Sequence, residues 1–321
     1  IPGGIAAWAG FTLPSFAVMV LFALLLQGFD FSASFWVKGL KIVAVAIVAQ
    51  AVLSMWKSLV KRKGQAVIAL ASAVFLMFLR SAFTQVIIIA AAGIVGQQLY
   101  KAEAAKREAE VLICVKKRSA VFALILFSLL LLVLPLAYRL TGSRWVSLAD
   151  SFYRAGSLVF GGGHVVMPLL EEELVPAGLI SGENFLAGYG AAQAIPGPLF
   201  TFAGYLGAMI YGIPGAFLAL GAIFLPAYLL ITGALPFWNS LRSIPKIQGA
   251  LSGVNASVVG ILIAALYDPL FTSAVHNRYE FSLSLLLLGM LTVLKIPPWA
   301  VVIAGAAGNS LIVFLSAAGI I

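Results

Sequence analysis

The sequence predicts an all-α, polytopic transmembrane protein with two inverted repeats and helices that break or re-enter at GGG and PGP motifs. Three observations predict it. The 321 residues are 62% hydrophobic and 10% charged, with a mean hydropathy of +1.09, whereas a soluble domain is roughly half apolar and a quarter charged. The apolar residues run in continuous stretches that would supply about ten crossings of roughly 20 residues each, without the strict alternation of a transmembrane β-barrel. The 31 glycines and 14 prolines punctuate those stretches, which points to interrupted helices rather than plain apolar rods. A soluble globular enzyme is excluded.

The apolar segments fall at 5–28, 38–56, 65–79, 82–99, 119–138, 148–175 (broken), 184–212 (broken), 214–238, 247–267, 281–295 and 297–320. Segments 65–79 and 82–99 are short for full spans and read as a tilted hairpin meeting near Arg80. Segments 281–295 and 297–320 form a similar pair, turning at Lys295-Ile296-Pro297-Pro298. Between the halves, KAEAAKREAEVLICVKKR at 101–118 is the most polar stretch of the chain. Its Ala, Glu and Lys content favours a surface helix, read as a solvated connector or as a docking point for a regulatory partner.

An internal repeat sets the domain organisation. Ile1, Pro2, Gly3, Ala7, Leu13 and Pro14 recur at an offset of 212 residues as Ile213, Pro214, Gly215, Ala219, Leu225 and Pro226. The match continues loosely at 43–48 against 254–259, and at 86–90 against 300–304. The predicted division is therefore 1–100, the C-terminal part of a first repeat; 101–118, a basic linker; and 119–321, a connecting helix with a complete second repeat. The second repeat carries 150–212 ahead of its Ile-Pro-Gly while the first carries no counterpart, so a natural protein extending upstream is expected.

Charge gives the orientation. Twenty Lys plus Arg against eleven Asp plus Glu make a net charge of +9, and ten of the twenty lie in two loops, four in 57–63 and six in 101–118. Such clustering at helix ends marks the cytoplasmic side and calls for no nucleic-acid partner. The loop 268–280, equivalent to basic 57–63, is nearly neutral and is expected outside, so the two repeats should have opposite orientations, as in many secondary transporters. One cysteine, Cys114, excludes an intramolecular disulfide and a Cys-based metal or redox pair. With two histidines, His164 and His276, and no haem, flavin or metal motif, the chain is expected to be neither an enzyme nor a cofactor or metal protein. The absence of a Walker A pattern disfavours ATP-driven pumping by this chain alone.

Two interruptions carry the candidate chemistry. Gly161-Gly162-Gly163-His164 sits inside an apolar stretch, where each glycine costs about 1 kcal/mol relative to alanine in a helix. Read as a break, it leaves backbone N–H groups and a helix dipole to hold an anion; read as packing, it lets helices approach closely. At Gln193-Ala194-Ile195-Pro196-Gly197-Pro198 the prolines remove helix hydrogen bonds and bias their predecessors away from helix. Gln193 either donates to an oxygen ligand or satisfies carbonyls that the break frees. Arg154 either binds substrate or snorkels to the interface. His164 ligates the anion, carries a proton near its ordinary pKa of about 6.5, or caps the break. Lys41 reads as an interfacial anchor more than a cavity residue, and Glu171-Glu172-Glu173 as a water-facing helix end. Asn255 and Asn309 are read as interhelical hydrogen-bonding residues.

These motifs resemble the chromate transporter family of bacterial and archaeal membrane proteins. The resemblance rests on FGGGHVVMP at 160–168, QAIPGP at 193–198 followed by Ala203-Gly204-Tyr205-Leu206-Gly207, Phe224-Leu225-Pro226, and Phe11-Thr12-Leu13-Pro14-Ser15-Phe16. It covers essentially the whole chain and implies two homologous domains and export of chromate, with sulfate as a mimic or counter-substrate. The first domain's own GGG and PGP segments have no match here, which leaves half of the implied path unassigned.

The expectation is a secondary active transporter of tetrahedral oxyanions working by alternating access in the inner cell membrane. Gly161, Gly162, Gly163, His164, Arg154, Gln193 and Gly197 would bind substrate, and Pro196, Pro198, Pro14 and Pro226 would break or gate helices. Partners expected are chromate or sulfate, the lipid bilayer, a second copy in a homodimer, and a coupled proton or counter-anion. The alternatives are an anion channel, or an uptake transporter for sulfate or another oxyanion.

Overall fold

A computed structural model describes residues 2–28, 35–79, 82–100, 116–159, 166–238 and 244–318, and every regular element among them is helical. The first half holds α1 (Pro2–Gly28), α2 (Phe35–Leu59), α3 (Lys63–Phe78) and α4 (Ala82–Leu99). After the linker, whose residues 101–115 lie outside the described residues, come α5 (Lys117–Thr141), α6 (Arg144–Ser157), α7 (Val166–Leu174), α8 (Gly182–Ala194) and α9 (Phe202–Ala234). The chain ends with α10 (Pro245–Ala265), α11 (Arg278–Thr292) and α12 (Pro298–Ala317). Six helical stretches among the described residues are long and apolar enough to cross a membrane: 3–27, 38–59, 117–141, 199–237, 245–274 and 298–317. The fold is all-α and polytopic. Several segments expected as crossings are shorter, because α3, α6, α7, α8 and α11 fall below the length a bilayer demands. The final pair is not two short arms, since α12 has 20 residues.

Local chemistry explains the helix ends. Asn277 Oδ1 accepts the N–H groups of Tyr279 and Glu280 at 3.0 and 2.9 Å, and the Glu280 carboxylate accepts the His276 N–H at 2.7 Å, so α11 begins with a reciprocal cap. Glu280 is therefore part of a helix start, not of a loop. Gln65 Oε1 does the same for the Lys61 and Arg62 N–H groups at the start of α3, and Gly142 closes α5 with a φ of 61°.

Pro14 and Pro226 do not break their helices: both lie within continuous helix, in α1 and α9. A membrane helix tolerates proline where neighbouring groups re-satisfy the freed carbonyl. The interruption in α9 lies instead at Tyr211 (φ −136°, ψ 26°) and Gly212 (φ 66°, ψ −158°), directly before Ile213-Pro214-Gly215. Gly212 occupies the left-handed region that glycine enters without steric cost. The recurring Ile-Pro-Gly at 213–215 therefore follows directly on this kink.

The described residues form two compact units: Ile1–Met55, Glu171–Leu220 and Leu262–Ile321 in one, Trp56–Leu170 and Gly221–Ile261 in the other. Each unit joins the first two helices of one repeat to the closing hairpin of the other. In the first, residues 40–48 of α2 are buried, and Leu40, Val43 and Ile47 share a core with Leu283 and Leu287 of α11 and Val301 of α12. A Cβ at Gly39 would stand 2.6 Å from the Cα of Ala306. In the second unit, a Cβ at Gly253 of α10 would stand 2.9 Å from the Cα of Gly96 in α4. Gln65 donates to Ser252 Oγ at 2.6 Å across α3 and α10. Val43 and Val254, which the repeat pairs, each rest on a glycine of the other repeat's last helix, Gly305 and Gly93. Without a hydrophobic drive between helices in lipid, such close small-residue contacts supply the dispersion that holds them together.

Backbone contact of this kind predicts a strong position dependence. Gly253→Ala should lower stability by about 1–3 kcal/mol through overpacking. Gly289→Ala, in α11 with nothing within 4 Å, should be neutral or stabilise by about 0.4–1 kcal/mol. Unfolding of the purified protein in detergent, followed by tryptophan fluorescence, checks the pair.

Candidate functional site: a broken helix closed by α1

α8 starts on Ser181, whose Oγ accepts the Asn184 N–H at 3.2 Å, and residues 185–192 are buried throughout. Aromatic rings fix its position. Phe202 lies with its ring centroid 5.1 Å from Phe185, 5.7 Å from Tyr189 and 6.0 Å from Tyr205. The Tyr205 hydroxyl donates to the Asn184 carbonyl at 2.8 Å, and Tyr205 stacks on Phe22 of α1. Gly190 meets the backbone of α2, where its Cβ would stand 2.5 Å from the Leu40 carbonyl oxygen.

The helix then stops. α8 ends at Ala194, Ile195 is extended (φ −97°, ψ 127°), and a 3₁₀ turn at Leu199–Thr201 starts the next helix behind an extended Pro198. Proline chemistry explains both edges, because Pro196 and Pro198 cannot donate and force extended predecessors. The Pro198 carbonyl accepts both the Thr201 N–H at 3.0 Å and the Thr201 hydroxyl at 2.9 Å.

The segment of α1 around Leu13-Pro14-Ser15 closes over this break. Ser15 Oγ donates to the Pro196 carbonyl at 2.6 Å, and the Ser15 side chain fills the space a Cβ at Gly197 would need, with Ser15 Cβ 2.7 Å away. The Phe11 carbonyl lies 3.6 Å from the same point. Thr12, between these contacts, is fully buried, and its Oγ1 has no hydrogen-bond partner among the described residues. Gln193 bonds the Tyr189 side chain, while its Nε2 is buried without an acceptor among the described residues. At the far end of α1, Gln27 Nε2 donates to the Ala208 and Met209 carbonyls at 3.1 and 2.8 Å. In a regular helix those carbonyls would accept the N–H groups of Gly212 and Ile213, at and just beyond the Tyr211–Gly212 kink.

Other expected residues lie elsewhere. Gly161, Gly162, Gly163 and His164 fall outside the described residues. Arg154 belongs to the other compact unit, near the end of α6, where its Nη2 pairs with Asp150 Oδ2 at 2.9 Å. Lys41 is not an interfacial anchor: it is 5% exposed, and its Nζ lies 2.9 Å from Glu183 Oε1 in the first turn of α8. Its place follows from α2 running through the middle of its unit. Within Glu171-Glu172-Glu173, in the last turn of α7, Glu172 and Glu173 are half-buried but Glu171 is 7% exposed and does not face water. It shares the buried face of α7 with Met167, Leu170 and Leu174 at helical spacing.

Sequence reading missed Thr12, Ser15 and Asp150. A signal existed for the first two: the repeat has Phe224 and Ala227 at their positions. Polar residues occur only in the copy that packs on the break. Asp150 carried no comparable signal, since an i, i+4 acid–base pair is common on any helix.

Comparison with known proteins fits this arrangement. The family model described as chromate transporter matches residues 1–97 and 146–309. A probable chromate transport protein of Synechococcus elongatus is 32% identical over 172 residues, 52% of this chain and 44% of the relative. A chromate transport protein of Cupriavidus metallidurans is 31% identical over 116 residues, 36% of this chain and 29% of the relative. An uncharacterized transporter of Methanocaldococcus jannaschii is 24% identical over 275 residues, 82% of this chain and 66% of the relative. The chain thus spans less than two thirds of each of these relatives. No solved structure matches it significantly. With the family match running over 1–97 and 146–309, across the Pro196–Pro198 break, the chain belongs to the chromate transporter family.

Proposed function

We propose that the protein is a secondary transporter of tetrahedral oxyanions, with chromate as substrate and export as the direction, sulfate serving as mimic or counter-substrate. The observation that carries this reading is the interrupted helix at Pro196-Gly197-Pro198, flanked by two buried polar atoms, Gln193 Nε2 and Thr12 Oγ1, that lack partners among the described residues. A helix start presents N–H groups and the positive end of a dipole, and an amide and a hydroxyl beside it add two neutral donors. A tetrahedral dianion accepts from several directions at once, so it suits such a site without a fixed cation. The relatives named for chromate transport support the choice of oxyanion.

Alternating access requires a segment that moves as a body. The stretch 199–210 lies between the proline break and the Tyr211–Gly212 kink, and such interruptions are where backbone rotation is absorbed. The two repeats sit in opposite orientations in the cell membrane, with the basic loops 57–63 and 101–118 facing the cytoplasm.

Ser15→Ala removes the hydroxyl that ties α1 to the break and should slow chromate flux into proteoliposomes about fivefold, the equivalent of one hydrogen bond of about 1 kcal/mol. Gln193→Leu should weaken chromate binding about tenfold or more, as for a hydrogen bond to a charged group; an unchanged Kd by equilibrium dialysis assigns Gln193 to the break alone. For orientation, single cysteines at Lys61 and Asp268 in a Cys114→Ser background should be labelled by an impermeant maleimide from opposite sides of the membrane. Labelling from the same side removes the inverted arrangement.

A further inference from the structure

The second compact unit holds an ion pair between a buried acid, Asp150, and a partly exposed base, Arg154, that is no part of the proline-break site. α6 is fixed against α5 by the Tyr153 hydroxyl donating to the Phe127 carbonyl at 3.1 Å. It is fixed against α9 by Gly156, whose Cβ would stand 3.0 Å from the Ile223 carbonyl carbon. That packing turns Asp150 inward, 4% exposed, while the Arg154 side chain one turn later stays 36% exposed. Asp150 Oδ2 takes the guanidinium at 2.9 Å, and Asp150 Oδ1 is buried with no hydrogen-bond donor among the described residues.

An ordinary i, i+4 pair on a helix surface leaves both groups in water and steadies the helix slightly. This pair differs in that the acid is buried and only half satisfied, so its charge depends on Arg154. Of the elements packed on α6, α5 carries charge only at Lys117, Arg118 and Arg139, near its ends, and α9 carries none. Tyr153, the other titratable group on this part of α6, is turned to α5. Arg154 is the charged group that acts on Asp150.

We propose that Asp150 and Arg154 form a pair that binds one proton together with each dianion, a role that rests on the oxyanion-transport reading and assigns its coupling. In the anion-free state Asp150 neutralises Arg154. An arriving dianion takes the guanidinium through two of its oxygens, the bidentate geometry that arginine favours. The carboxylate left behind is buried, without its counter-charge and beside a dianion, all of which favour the neutral acid. It takes one proton from water, forming an O–H bond on a carboxyl oxygen, while Arg154 stays charged throughout. One dianion and one proton are bound together. When the anion leaves, Arg154 returns to Asp150 and the proton is released with the anion, on the same side of the membrane.

The test is proton uptake on binding. Chromate, and separately sulfate, is added to the purified full chain in weakly buffered detergent solution just above neutrality, and uptake is read with a pH-sensitive dye. Sulfate stays a dianion over this range, so its signal belongs to the protein. Wild type should take up close to one proton per bound anion, and its affinity should fall about tenfold per pH unit above neutrality. Asp150→Asn should bind with no proton uptake and a flat pH profile, and Asp150→Glu should retain uptake. Binding by wild type without proton uptake overturns the pair's role alone, and the wild-type count holds even if Asp150→Asn does not fold. A protein that binds neither anion overturns the oxyanion reading and this role with it.

Discussion

A backbone amide or carbonyl in lipid must find its partner inside the protein, and the rest of this structure answers to that demand. A continuous helix meets it automatically. An interruption does not, and at two of them a side chain from another helix appears. Ser15 binds the Pro196 carbonyl at the proline break, and Gln27 binds the Ala208 and Met209 carbonyls ahead of the Tyr211–Gly212 kink. Both come from α1, which therefore serves as the external hydrogen-bonding partner of the broken segment. Pro14 in the same helix leaves α1 continuous, so proline alone does not mark a functional break.

The repeat supplies the scaffold on which this happens. Each compact unit takes two helices from one copy and the closing hairpin from the other, and the equivalent valines, Val43 and Val254, meet equivalent kinds of surface. Glycine is needed where they meet because backbones touch. At Gly39, Gly96 and Gly253 a single added carbon would collide with main-chain atoms that have no room to retreat. An exchanged arrangement also makes the two copies mutually dependent, since neither can bury its α2-type helix without the other's hairpin.

Within that symmetric scaffold the polar groups are asymmetric. Ser15 meets the break from α1 and Thr12 is buried in the same turn, whereas the second copy has Phe224 and Ala227 at these positions. Asp150 and Arg154 lie in the stretch ahead of the second copy. Two of the buried charges among the described residues are held by ion pairs: Lys41 by Glu183, Asp150 by Arg154. Desolvation makes an isolated charge in such a place untenable, so these pairs identify where charge can change only by exchange.

Composition and runs of apolar residues by themselves determined an all-α polytopic membrane protein, and the pair of prolines about Gly197 determined where α8 ends. These features are local: hydropathy, a missing N–H and a fixed φ act within a few residues of where they are written. Only the tertiary structure decided that Ser15 rather than Pro14 meets the break, that Lys41 is buried beside Glu183, that Glu171 lies on an apolar face, and that the hairpins change places between the copies. The physical reason is that each of these depends on which surface a helix turns toward a neighbour distant in sequence. In a chain this uniformly apolar, the hydrophobic pattern that would reveal such a face is nearly absent.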